Sequence, residues 1–284
     1  MAGRNDSHLH PRPSLTSVRS WADVRLIEAF TLGVIEGLTE FLPVSSTGHM
    51  ILASALMGTG RDEFVKTFEI TIQLGAILSV LVLYYRRFLA GIEIYLKLTA
   101  AFLPTGVIGL LAYKTIKQYL FNPFVVSAAL IIGGIALIVL DRWTEGRKAR
   151  YASTENVSLS GAVLIGFVQC LSMVPGVSRA AAAIFGGLLS GFDRKQATEF
   201  SFLLAIPTMF AATGYDLLKT SSSFDSGHWV LLIAGGTVAF FSALIAVKTF
   251  IALVPRYGFR HFGYYRIVLG AVFLLLSMVF EISL

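Results

Sequence analysis

Six stretches of this 284-residue chain are each long and apolar enough to cross a lipid bilayer, and that pattern constrains the fold more than any other feature. A spanning helix needs roughly 20 apolar residues. The stretches are residues 68–85, 98–113 with their flanks, 123–140, 200–218, 229–253 and 264–284. Only 14% of residues are charged, against about a quarter in soluble domains, so lipid is the expected solvent. The formal charge of +6 is placed in short gaps between apolar runs. That placement reads as loop charge and argues against a nucleic-acid-binding stripe. Cys170 is the only cysteine, which excludes an intramolecular disulfide. The first 20 residues are polar and lack an apolar core of their own, so they read as a leader and not as a signal peptide.

Two further apolar stretches, residues 26–57 and 159–189, are broken in the middle by Pro, Gly and Ser in FLPVSSTGH and VPGVSR. Pro43 and Pro175 remove backbone donors and clash with the preceding turn, so each stretch is expected to fold as two half-helices. Backbone groups freed at membrane depth are tolerated only inside protein or against a wet cavity, which fits a re-entrant hairpin. The chain also repeats itself. Pro43, Ser46 and Phe68 match Pro175, Ser178 and Phe200 at an offset of 132, while Gly33 and Glu36 match Gly166 and Gln169 at 133.

The expected fold is therefore an all-α polytopic membrane protein of two halves, residues 21–150 and 151–284, after the leader 1–20. Each half is one re-entrant hairpin and three transmembrane helices, and an odd number of crossings inverts the second half relative to the first. Alternating spans put Arg86, Arg87, the basic run at 142–150, Arg256 and Arg260 on one side, which the positive-inside rule makes cytoplasmic. Lys114 and Lys117 oppose that assignment. The first hairpin then enters from outside and the second from inside.

The chemistry-bearing residues cluster in the two hairpins. Glu36 and Glu40 are four apart and share a helix face. An ionisable group at the bilayer centre costs about 2.5–3.5 kcal/mol, so these carboxylates and Arg179 need partners. They could form a structural ion pair, or they could line a hydrated site in which carboxylates hold a divalent cation and donors hold phosphate. Ser45, Ser46, Thr47 and Gly48 could cradle an anion or merely cap a helix. His49 beside them is not needed for capping and is a candidate base. In the second hairpin Arg179 offers a bidentate fork to phosphate, Gly176 a close backbone approach, and Ser178 a further donor. Tyr264, Tyr265, Trp143 and Trp229 read as headgroup anchors, His228 and His261 as solvated loop residues, and Gly133 and Gly134 as packing positions.

EGLTEFLPVSSTGH, PGVSR and FSFLLAIPTM, in that order and spacing, resemble the undecaprenyl-diphosphate phosphatase family associated with bacitracin resistance. The resemblance runs from about Leu26 to the C-terminus. It implies a bacterial inner-membrane enzyme that removes the terminal phosphate of undecaprenyl diphosphate and so recycles the carrier of cell-wall precursors; the loop charge above turns the site to the periplasmic side. Its acidic motif falls on Glu36 and Glu40, its serine and histidine on Ser46 and His49, and its basic motif on Pro175, Gly176, Ser178 and Arg179. One departure is that Ala180, Ala181, Ala182 and Ala183 stand where relatives often carry hydroxyl residues.

The implied mechanism places a divalent cation, Mg²⁺ or Ca²⁺, on Glu36 and Glu40. Arg179 and Ser178 hold phosphate, with Ser45, Thr47, Gly48 and Gly176 as further phosphate-binding positions. His49, oriented by a carboxylate, acts as base or nucleophile, or activates Ser46. A phosphoserine, a phosphohistidine and direct attack by water all remain open at this point. The expected partners are the polyprenyl lipid, the bilayer and, for assembly, a second copy of the chain. The competing class is a carrier of polyprenyl phosphate, because inverted repeats with broken helices also suit transporters.

Overall fold

A computed structural model describes residues 21–60, 62–89, 91–119, 122–220, 224 and 226–280 of the chain. The leader at 1–20 lies outside the described residues. Everything regular among them is helical, with no strand. Six helical segments are long and apolar enough to span a membrane: Glu63–Leu89, Glu93–Ala112, Pro123–Thr144, Arg194–Leu218, Ser226–Tyr257 and Arg260–Met278. Each contains or overlaps one of the six stretches expected from hydropathy. The first is two helices, α3 (Glu63–Thr71) and α4 (Gln73–Leu89), and the others belong to α5 (Glu93–Tyr119), α6 (Pro123–Thr144), α9 (Arg194–Thr220), α10 (Ser226–Tyr257) and α11 (Arg260–Phe280).

Both remaining apolar stretches break where proline was expected to break them. α1 (Trp21–Thr39) ends four residues before Pro43, and α2 (Ser46–Leu56) begins three residues after it. α7 (Leu159–Gln169) runs through a 3₁₀ turn, Cys170–Met173, to Pro175, and α8 (Arg179–Ser190) follows. Ser45 and Ser178 each cap the second helix from a positive φ, 71° and 75°, the only non-glycine residues so placed among those described. Their hydroxyls accept from the N–H groups of Gly48 and Ala181. The two caps are 133 apart, so Ser178 corresponds to Ser45 and not, as the proline offset suggested, to Ser46. Proline elsewhere is milder: Pro104 and Pro207 lie inside continuous α5 and α9.

Small residues bring the helices close, as lipid-exposed bundles require where no hydrophobic driving force separates helix from tail. A Cβ on Gly33 or Gly37 of α1 would lie 2.6 or 2.4 Å from the carbonyl oxygens of Gly235 and Ala239 in α10. On α7, a Cβ on Gly166 would come within 2.1 Å of the Ala101 oxygen of α5. Gly134 packs α6 against Gly263 of α11 in the same way. Ala180 to Ala183 at the start of α8 are all buried, so the run of alanines preserves close packing.

Polar locks hold the end of the bundle that carries the basic loops. Arg87 bonds Glu155 and Glu199, while Arg194 bonds Asp141 at 2.7 Å. Asp141 also accepts the Phe259 N–H, which places the ends of α4, α6 and α10 and the starts of α9 and α11 together. The basic clusters at Arg86–Arg87, 142–150 and Arg256–Arg260 therefore share one end, as alternating spans require. Asp141→Ala should lower stability by up to about 3 kcal/mol, since it strands Arg194 and the Phe259 N–H. A thermal melt of the detergent-purified variant checks this, and an unchanged melting temperature would contradict it.

Candidate active site

The two helix breaks meet. Arg179, first residue of α8, reaches across to Glu40, in the turn after α1: Nη2 and Nε lie 3.1 and 3.3 Å from Oε1. The other Glu40 oxygen accepts a 2.5 Å hydrogen bond from the Ser46 hydroxyl. Arg179 Nη1 donates to the Ser201 carbonyl of α9 at 2.9 Å, and its guanidinium stands 5.6 Å from the Phe41 ring. Phe41 in turn makes an edge contact with Phe202. The motif FSFLLAIPTM thus acts through Ser201 and Phe202, which fix the arginine in place. Ser46, Glu40 and Arg179 form one continuous hydroxyl, carboxylate and guanidinium chain, and Arg179 does pair with a carboxylate, as a structural ion pair would.

Glu36 is different. It is fully buried, and neither carboxylate oxygen has a hydrogen-bond partner. It faces the charges of Glu40, Glu69 and Arg179. Glu69 in α3 was not singled out from sequence, and one of its oxygens is also buried without a partner. The signal was available: a carboxylate within an apolar span is costly enough to demand a reason. Unpartnered buried oxygens fit a hard divalent cation on the Glu36 side, whereas both Glu40 oxygens are engaged. Among the described residues no three His, Cys, Asp or Glu side chains converge as metal ligands. Mg²⁺ needs no such set, because it is usually held by one or two carboxylates with water and substrate phosphate.

His49 is not oriented by a carboxylate. Its Nδ1 lies 2.8 Å from the Ser45 carbonyl and its Nε2 2.6 Å from the Tyr265 hydroxyl. Ser46 is therefore bonded to Glu40 and not to His49, and the expected pairing of Ser46 with His49 as its base is replaced by Ser46 with Glu40. Tyr265, read from sequence as a headgroup anchor, also brings its hydroxyl to His49. Ser45 and Ser178 act as helix caps, the Gly48 N–H is taken by Ser45, and Thr47 is exposed. His228 is also not a solvated loop residue. It lies in the first turn of α10 with its ring 4.1 Å from Phe64. His261 is exposed as expected, but in the first turn of α11.

The residue that joins the breaks was missed altogether. Arg266 of α11 is fully buried, and its five N–H groups meet five carbonyls. Nη1 donates to Pro43 and Val177 at 3.1 and 2.8 Å, and Nη2 to Ala129 and Gly176 at 3.1 and 2.9 Å. Nε reaches Leu130 at 3.4 Å. One guanidinium thereby ties the Pro43 turn, the Gly176 turn and α6 together. Gly133 makes room for the guanidinium, and Gly176 lets its own turn lie against α6. A Cβ on Gly133 would stand 2.2 Å from Nη2, and one on Gly176, where φ is +95°, 2.6 Å from the Val126 oxygen.

Two helix breaks joined at their tips, with a serine, two carboxylates and an arginine between them, define a polytopic membrane protein with a polar site buried among its helices. The match to known proteins is closer than this class. The family described as bacitracin resistance protein BacA matches residues 29–272, and the chain belongs to it. A protein of Wolinella succinogenes named undecaprenyl-diphosphatase is 51% identical over 249 residues, covering 88% of this chain and 97% of its own. Proteins of the same name from Persephonella marina and Aquifex aeolicus are each 48% identical over 88% and 87% of this chain, and over 98% and 96% of their own.

Arg266→Lys should weaken this junction, because an ammonium supplies three donors where five carbonyls need them. Each carbonyl left unsatisfied costs about 1–3 kcal/mol. The melting temperature and the phosphate release of the purified variant should fall together. Wild-type values for both would contradict the role given to Arg266.

Proposed function

We propose that this chain is a membrane phosphatase that hydrolyses undecaprenyl diphosphate to undecaprenyl phosphate and inorganic phosphate, with Ser46 as nucleophile. Membership of the BacA family and the names of its relatives support the reaction. The observation that carries the residue assignment is the 2.5 Å bond from Ser46 to Glu40. A carboxylate already holding the hydroxyl proton is placed to take it as Oγ attacks the terminal phosphorus. Arg179 adjoins that carboxylate, and part of its fork, held here by Glu40 and Ser201, would turn to the equatorial phosphate oxygens, where charge is spread in the transition state. Water then cleaves the phosphoserine and restores Ser46. Glu36, with Glu40 beside it, would hold Mg²⁺ or Ca²⁺, which when bound neutralises the diphosphate charge.

Several features support an inverted repeat of 21–150 and 151–284 with re-entrant hairpins. Both breaks carry a positive-φ serine cap. α1 packs on α10 through Gly33, and α7 on α5 through the matching Gly166. Glu36 and its match Gln169 are both fully buried. The grouped basic loops support placing their end in the cytoplasm of a bacterial inner membrane. The hairpin bearing Glu40 and Ser46 enters from the opposite end, where a cleft of about 260 Å³ lies among Arg25, Glu28, Asp62 and Phe64. With the basic loops at the other end, that direction of entry supports a periplasmic opening. The same paired broken helices favour carriage of polyprenyl phosphate as a second reading.

Phosphate release from undecaprenyl diphosphate by detergent-purified protein, with and without EDTA, tests the proposal. Release should require the metal, and Ser46→Ala, Glu40→Ala and Arg179→Ala should each reduce it by at least about a hundredfold while leaving a folded membrane protein. Folded wild type without release under any metal condition would favour the carrier.

A further inference from the structure

The ring of His49 is fixed by two groups, and the chemistry of one decides the state of the other. The Ser45 carbonyl can only accept, so Nδ1 must carry a proton and donate it. In the neutral ring Nε2 is then an acceptor, and the Tyr265 hydroxyl is the donor to it at 2.6 Å. The Ser45 carbonyl is itself held by the unusual backbone that caps α2, with φ at 71°, and also accepts the His49 N–H at 3.3 Å. The Tyr265 ring lies nearly parallel to the imidazole, at 8° and 5.6 Å between centroids. Tyr265 directly precedes Arg266, whose guanidinium is anchored to both breaks, so the backbone that carries the phenol is tied to the loop that carries Ser45.

We infer that Tyr265 is a positioning residue for His49: its hydroxyl and the Ser45 carbonyl hold the imidazole in the Nδ1–H tautomer and in one orientation. The inference rests on the phosphatase reading. In that reaction the second half, cleavage of the phosphoserine, needs a base to take a proton from water. For that step the attacking water takes the place of the Tyr265 hydroxyl at Nε2 and gives its proton to that lone pair as its oxygen bonds phosphorus and Ser46 Oγ leaves, and the imidazolium formed keeps its Nδ1–H on the Ser45 carbonyl. Tyr265 is about half exposed. Nothing in the sequence pattern indicated this pairing, because the two residues are 216 apart.

Tyr265→Phe keeps the ring and removes only the hydroxyl. In the purified full chain kcat should fall about tenfold, the rate equivalent of one hydrogen bond, with KM changed by less than about twofold. That split is the readout a purely structural role would not give, and the ¹⁵N spectrum of histidine-labelled protein tests the pairing itself. Signals of His49, identified by their loss in His49→Gln, should show the Nδ1–H tautomer in both proteins, with Nε2 shifting to the position of an unbonded lone pair in Tyr265→Phe. An unchanged kcat, or an unmoved Nε2 signal, overturns the inference. Wild-type protein that releases no phosphate would instead overturn the phosphatase reading, whereas an active wild type with an unaffected variant overturns this inference alone.

Discussion

A single guanidinium fixes the geometry on which the site depends. Arg266 spends all five of its donors on backbone carbonyls from three separate segments, and no carboxylate shares its charge among the described residues. A buried cation without a counter-ion is normally costly, and here carbonyl dipoles take the place of a charged partner. The arrangement suits two helix breaks. Each break frees carbonyl oxygens that water cannot reach inside a bundle, and each frees them at the same point. Arginine can satisfy both because its donors fan out in a rigid plane, which an ammonium cannot reproduce. Removing the helix hydrogen bonds at Pro43 and Pro175 thus creates the binding demand that Arg266 meets.

Joining the breaks has a chemical consequence. It brings Arg179 of one hairpin onto Glu40 of the other, and Glu40 onto Ser46. Neighbouring Glu36 is left fully buried beside Glu40, with no donor on either carboxylate oxygen. Two glutamates four residues apart therefore differ in their surroundings: one is held by a hydroxyl and a guanidinium, the other meets no donor. α11 contributes twice in adjacent positions, with Arg266 holding the backbone of the breaks and Tyr265 holding His49.

The spans were legible because bilayer thickness sets helix length, and the breaks were legible because proline cannot continue a helix. Glu36, Glu40, Ser46 and Arg179 stood out because charge and hydroxyls in apolar surroundings need a reason. Arg266 did not stand out. Its partners are carbonyls, which every residue carries, so no pattern of side chains announces them. Gly133 was read as a packing residue, correctly as to space, but what fills the space is a guanidinium. The partner of His49 was misassigned for a similar reason. A carboxylate was the nearest candidate in sequence, whereas the fold supplies a carbonyl four residues back and a tyrosine from the last described helix. The equivalence of Ser178 with Ser45 was hidden by a one-residue shift in offset between the prolines and the caps, which only backbone conformation reveals.

The most direct test of the central claim, that the joined breaks present Ser46 to the terminal phosphate, is a rapid quench of the enzyme into neutral detergent denaturant during turnover of undecaprenyl diphosphate labelled in that phosphate, followed by mapping of the label. The account predicts a transient phosphate on Ser46, formed at least as fast as phosphate is released. Label on His49, or turnover in which released phosphate never passes through the protein, would contradict it.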